Sequence, residues 1–232
     1  METVYLHSGT EDAIQIVGML REAGYLKGNI EVYDMNQEDT NLTGKKAILI
    51  CGHGYEHHKS LEFSKELVAD NPDIDIDKVL FDAHIDFHSS YDNENLHATH
   101  NYPLLMSGIC SEIYVNGIVP YHGNNKMWKR RNWKKTKKSK IEFRKGTWST
   151  RKLKGRNLHI STDLDVLWDC DYVHRRHRIG RTLYTDLMRS LNRLNNNNLV
   201  FGVDVVGLDI RSDMKDVKIG IKHYGEIIKM FA

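Results

Sequence analysis

The sequence predicts an α/β protein with a doubly wound, mainly parallel sheet and helices on both faces. Three observations carry this expectation. Short apolar runs alternate with longer segments of helical periodicity along the 232 residues, the signature of parallel strands joined by crossover helices. Two of the runs end in closely spaced acids: Asp82-Ala83-His84-Ile85-Asp86 follows Lys78 to Phe81, and Asp163-Leu164-Asp165 follows Asn157 to Ile160. In an open parallel sheet, ligand sites form at such strand ends. Finally, no internal repeat or Gly/Pro/Ser-rich linker divides the chain, so residues 1–232 are expected to form one domain.

Thr3 to His7 reads as the first strand, and Thr10 to Ala23 as a helix through Ile14, Ile16, Val17, Met19 and Leu20, with Gly24 as its stop signal. Ile30 to Tyr33 and Lys46 to Cys51 are strand-like, and a His-rich loop follows the second of these. Ser60 to Ala69 is a helix that ends at Asn71-Pro72. The strand leading into Asp82 comes next, then a strand from Ile113 to Val119 and another from Leu158 to Asp163. A helix is expected from about Thr182 to Leu194, a polar break at Asn195 to Asn198, a core strand from Val200 to Leu208 and a terminal helix from Val217 to Met230.

The formal net charge of +2 implies no particular partner. The longest apolar runs are strand-sized, which predicts no membrane span. The start, Met1-Glu2-Thr3-Val4-Tyr5, lacks the features of a secretion signal, and Cys51, Cys110 and Cys170 have no paired spacing. A cytoplasmic enzyme with reduced thiols is the expectation. One segment stands apart. Residues 126–156 are densely basic, with Trp128, Trp133 and Trp148 interleaved and Glu142 the only acid. Such a mixture can bind single-stranded nucleic acid. Without a recognisable nucleic-acid motif, it reads better as a solvated excursion between two strands or a subunit contact.

Side chains two apart in a strand share a face, so Asp82, His84 and Asp86 converge if the strand continues through them. Asp163 and Asp165 do the same from a second strand. Carboxylates gathered in one cleft repel one another and cannot all stay ionised unaided. A pair of divalent cations resolves the conflict. The loop Gly52-His53-Gly54-Tyr55-Glu56-His57-His58 adds imidazoles at a third strand end, where either His57 or His58 can complete the set. Carboxylates with a minority of imidazoles favour ions such as Mn2+, and the absence of Cys argues against structural zinc.

The order His, Asp-Ala-His-x-Asp, Ser-x-Asp-x-Asp resembles the ureohydrolases: arginase, agmatinase and formimidoylglutamase. The likeness runs from about Lys46 to Asp209. Gly54 to His58 resembles the family's Gly-Gly-Asp/Glu-His-Ser loop. Phe81 to Asp86 matches almost letter for letter, and Ser161 to Asp165 matches the second aspartate motif. Asn95-Leu96-His97-Ala98-Thr99 is similar to the segment with the family's catalytic histidine.

The resemblance implies two Mn2+, one held by His57, Asp82, Asp86 and Asp163, the other by Asp82, His84, Asp163 and Asp165. Asp82 and Asp163 would bridge them. It further implies that metal-bound hydroxide attacks an amidine carbon, that Asp165 helps hold the tetrahedral intermediate, and that His97 protonates the leaving nitrogen. His88 and His100 are close enough in sequence to take the place of His97.

Three departures bear on the substrate. The second motif continues as Val166-Leu167-Trp168-Asp169, without the family's Asp-Pro at the usual spacing. Phe201 to Val206 resembles the strand preceding the substrate-side glutamate, but Gly207 occupies the glutamate's place and Asp209 follows two residues on. The family's Gly-rich loop is replaced by His174-Arg175-Arg176-His177-Arg178. Arg binds carboxylate bidentately, so Arg175 and Arg176, with Asn95 and Asp209, are the candidate substrate-binding residues and an acid-bearing amidine or guanidino compound is the expected substrate. The competing readings are a related hydrolase of another amide or C–N bond, and a catalytically silent metal-binding or nucleic-acid-associated protein. A homo-oligomer with no membrane or nucleic-acid partner is expected.

Overall fold

A computed structural model describes residues 4–8, 10–27, 30–33, 41–86, 101–119, 132–134, 140–144, 150–168, 170–173 and 180–232. Their strands join in one nine-stranded sheet. In chain order they are β1 (Val4–Ser8), β2 (Ile30–Tyr33), β3 (Lys46–Ile50), β4 (Ile76–Phe81), β5 (Glu112–Asn116), β6 (Asn132–Lys134), β7 (Lys140–Arg144), β8 (Asn157–Asp163) and β9 (Leu199–Val206). The spatial order is β2-β1-β3-β9-β8-β4-β5-β7-β6. Only the edge pair β6–β7 is antiparallel. The doubly wound α/β expectation holds.

Among the described residues the α-helices are α1 (Glu11–Glu22), α2 (Lys59–Asp70), α3 (Asn101–Ser107), α4 (Tyr184–Asn197) and α5 (Met214–Phe231). Strand residues alternate between two faces. Ile48, Ile50, Val79, Phe81, Leu158, Ile160, Val203 and Val205 pack with α1, α4 and α5. On the opposite face, Ala47, Leu49 and Phe201 pack against Phe63 and Leu67 of α2, while Leu80, Ile113 and Val115 meet Leu61 of α2 and Leu104 and Leu105 of α3. Burial on both faces explains the near-continuous apolar runs of β3, β4 and β9.

Helix α1 starts where its cap predicts: the Thr10 side chain accepts from Ala13 N at 3.2 Å, and Glu11 and Asp12 occupy the first turn. Helix α4 runs through Asn195 to Asn197, which the sequence reading took as a break. Asparagine amides cover its last carbonyls: Asn197 donates to Arg193 O and Asn198 to Leu194 O, and Asn198 also ties the helix end to Leu153 O. The segment 126–156 is not simply an excursion. Its described part contributes β6 and β7, which extend the sheet beyond β5. Helix α3 was not anticipated, and β5 stops at Asn116 rather than Val119.

The strand order sets up the site. Strands β3 and β4 follow each other in the chain, yet β9 and β8 lie between them. The C-terminal ends of β3, β9, β8 and β4 therefore lie side by side, and the His-rich loop and both aspartate motifs all begin there.

Candidate metal centre

Beyond β3 the chain turns through Gly52 and His53 into a short 3-10 helix, Gly54–His58. Glu56 fastens this turn: one of its carboxylate oxygens accepts from Gly52 N at 2.6 Å and from the Thr10 hydroxyl at 2.8 Å. Burial raises the Glu56 pKa, and these hydrogen bonds oppose that rise. The turn points His57 inward, where it is 1% exposed. His58 instead directs Nδ1 to Tyr55 O at 3.0 Å.

Strand β4 ends at Phe81, so the condition for convergence by alternation is not met: Asp82 to Asp86 do not continue it. Local hydrogen bonds turn the chain instead. Asp82 Oδ1 accepts from His84 N at 2.6 Å, an Asx-type turn, and Asp82 N donates to Asn116 O. Asp86 has φ 43°, in the left-handed region. The second motif likewise leaves its strand: Asp163 ends β8, and its Oδ1 accepts from Asp165 N at 2.9 Å to open a 3-10 turn over Leu164–Val166. The two motifs interlock where Ala83 N donates to Asp165 Oδ1 at 3.0 Å.

Convergence is thus achieved by turns rather than by strand alternation. His57 Nδ1 lies 3.4 Å from Asp82 Oδ2, 3.0 Å from Asp86 Oδ2 and 3.5 Å from Asp163 Oδ2. His84 Nδ1 lies 3.4 Å from Asp82 Oδ1 and 2.7 Å from Asp165 Oδ2. The sets His57/Asp82/Asp163 and Asp82/His84/Asp165 each bring one potential ligand atom per residue within 4.8 Å of one another. Asp82 belongs to both sets and turns a different oxygen to each histidine.

Burial pushes the Asp82 pKa up to about 7, with Asp86 and Asp165 adding to the rise. Burial, Asp165 and Asp82 raise that of Asp163 well above the carboxylate range. For the histidines burial works downwards, but it is outweighed by Asp82 and Asp86 at His57 and by Asp165 at His84, and both pKa values are raised well above normal. Asp82 Oδ2 is buried without a hydrogen-bond partner among the described residues, as expected of an oxygen shaped for a metal.

No family model and no curated protein sequence matches the chain. Solved structures do. Formimidoylglutamase from Bacillus subtilis subsp. subtilis str. 168 aligns with a TM-score of 0.70 at 14% identity, covering 99% of this chain and 85% of that one. Arginase from Entamoeba histolytica, solved with L-ornithine, gives 0.68 at 13% identity over 100% and 98% of the two chains. Agmatine ureohydrolase of Thermoplasma volcanium gives 0.64 at 18% identity over 99% and 89%. The fold is that of the ureohydrolases.

Within this ureohydrolase fold, Gly207 lies against Asp163. A Cβ added at Gly207 would sit 2.8 Å from Asp163 Oδ1, and the residue has φ 111°. Any side chain here would be strained and would press on the cluster. Asp209 stands outside both donor sets. Its Oδ1 accepts from Arg211 N and Nε at 3.1 Å each, and Oδ2 lies 3.9 Å from His53 Nε2. Burial would raise the Asp209 pKa, but Arg211 and His53 hold it below normal. Asn95, His97, Arg175 and Arg176, with the alternatives His88 and His100, lie outside the described residues.

The sequence reading missed a polar layer on the α2 face of the three central strands, directly behind His57. His57 Nε2 lies 2.9 Å from Ser161 Oγ, and Ser161 donates to Asp204 Oδ1 at 2.6 Å. Asp204 Oδ2 accepts from Ser60 at 2.6 Å and lies 2.7 Å from His159 Nε2. Lys78, 0% exposed, donates to Ser60 Oγ at 2.7 Å. Burial works to raise the Asp204 pKa, but His159, Lys78 and His57 hold it below the usual carboxylate range. The available signal was a polar residue at alternate positions of buried strands: His159 and Ser161 in β8, and Asp204 in β9.

Proposed function

We propose that this protein is a hydrolase of non-peptide C–N bonds in linear amidines, working with two divalent cations, preferably Mn2+. The observation that carries the reading is a pair of donor sets, one buried and one partly exposed at His84, sharing Asp82 at the strand ends of a ureohydrolase fold. The donor chemistry fits. It consists of carboxylates with two imidazoles and no thiolate, and Asp82 offers one oxygen to each side.

In this reading His57, Asp82, Asp86 and Asp163 hold one ion. Asp82, His84, Asp163 and Asp165 hold the other. When bound, the ions would supply Lewis acidity and lower the pKa of a water toward neutral. The chain's own residues do the rest. Asp165, anchored through Oδ1 to Ala83 N, would help hold the substrate's reacting carbon as it becomes tetrahedral. His97 delivers a proton to the leaving nitrogen as general acid. Asn95, Arg175 and Arg176 bind the far end of an acidic substrate.

Gly207 bears on substrate choice. No carboxylate projects from that position to receive an amidinium, and its φ and its closeness to Asp163 leave no room for one. Asp209 is engaged by Arg211. Together with the basic loop, this favours an acid-bearing amidine such as formiminoglutamate over arginine or agmatine. The absent carboxylate also supports a second reading, in which a related hydrolase has moved to a neutral amide or other C–N bond. Metal analysis together with steady-state kinetics on formiminoglutamate, arginine and agmatine in Mn2+ tests both. Two bound ions and turnover of formiminoglutamate are expected. Ordinary turnover of agmatine would overturn the substrate assignment, and purified protein that takes up no metal would overturn the hydrolase reading.

A further inference from the structure

We infer that Ser161 and Asp204 are positioning residues, which fix the ring orientation and tautomer of His57 so that its Nδ1 lone pair faces the carboxylate cluster. This inference rests on the two-ion reading above. It follows from counting hydrogens along one chain of contacts. Asp204 is flanked by Lys78, acting through Ser60, and by His159. Its Oδ1 accepts the Ser161 hydroxyl proton at 2.6 Å. With that proton committed, Ser161 Oγ can only accept from His57 Nε2, 2.9 Å away. The proton on Nε2 leaves Nδ1 as the donor atom, and Nδ1 is the atom that lies 3.0–3.5 Å from Asp82, Asp86 and Asp163. The orientation of a ligating histidine is commonly set by the hydrogen bond on its other nitrogen.

His84 has a different setting. Its side chain is 19% exposed, and the carboxylates beside it are held by backbone amides, Ala83 N donating to Asp165 and His84 N to Asp82. The relay should therefore act on one ion and not the other, an asymmetry that general damage to the fold would not produce.

The test is titration calorimetry of the full chain with Mn2+, comparing wild type with Ser161→Ala, Ser161→Thr and the isosteric Asp204→Asn, with melting temperatures measured alongside. Wild type should bind two ions. Ser161→Ala should weaken one binding step by about 10–100-fold, the usual cost of losing such a partner, and leave the other step unchanged. Ser161→Thr, which keeps the hydroxyl, should restore the weakened step. Asp204→Asn should weaken the same step and gives a second variant should Ser161→Ala fail to fold. Two unaltered steps in Ser161→Ala, or equal weakening of both with no rescue by threonine, would overturn the relay while leaving the two-ion reading intact. Wild-type protein that binds fewer than two ions would overturn both.

Discussion

His57 and His84 face the same carboxylate, Asp82, from opposite sides, yet they are held by different means. His57 is buried and backed by side chains from α2, β4, β8 and β9. His84 sits on a turn after β4, partly exposed, among carboxylates fixed by backbone amides. One half of the cluster is thus built into the sheet and the other is laid on top of it. The comparison teaches that two chemically similar donor sets need not be equally rigid. Burial with side-chain bracing fixes one geometry, whereas a turn can adjust to what it binds.

The harshest way to break this comparison is to remove a carboxylate proposed to serve both halves. Asp163→Asn should abolish activity and weaken both ions by more than about 100-fold, beyond the cost of an indirect partner. Two full equivalents of metal in that variant would show that Asp163 does not bridge. Next come the histidines. His57→Ala should lose one ion and also destabilise the fold by about 1–3 kcal/mol, because it strands a buried polar partner. His84→Ala should lose the other ion at a cost below about 1 kcal/mol. Equal melting temperatures for the two variants would erase the asymmetry.

A subtler probe is Gly207→Ala. Its φ of 111° and the contact with Asp163 Oδ1 predict a loss of about 1–3 kcal/mol, read from the melting temperature. The smallest expected effect is on pH dependence. In metal-free protein the Asp82 pKa lies above its ordinary value of 3.8, at about 7, and that of Asp163 is raised too. The folded state then binds protons more tightly than the unfolded one, so stability should fall as pH rises from 3.8 through about 7. The raised pKa values of His57 and His84 act in the same direction. Melting curves that rise over this window without metal, or that keep falling when Mn2+ is present, would contradict the assignment.

Much of this architecture is legible in the sequence because burial on both sheet faces leaves an unambiguous apolar record in β3, β4 and β9. The residues of the cluster are legible for the same reason: Asp and His are conspicuous directly after such runs. Their geometry is not. A strand through Asp82, His84 and Asp86 satisfies alternation equally well, and only the Asx turn at Asp82 and the interlock with Asp165 decide otherwise. Strands β6 and β7 hide within Lys126 to Arg156 because charge masks their β-pattern at an edge. The layer of Lys78, His159, Ser161 and Asp204 escapes notice because each residue looks like a solvent-facing position of a half-buried strand. Only the packing of α2 over that face shows otherwise.

The burial of Lys78 makes that residue a natural reporter. An amine-reactive label should skip it while the sheet is closed and reach it only when α2 lifts from β4, β8 and β9. Its modification rate, read by mass spectrometry against that of the exposed lysines, would then time the opening of the sheet's centre. Slower labelling on adding Mn2+ would show metal occupancy felt on the far side of His57.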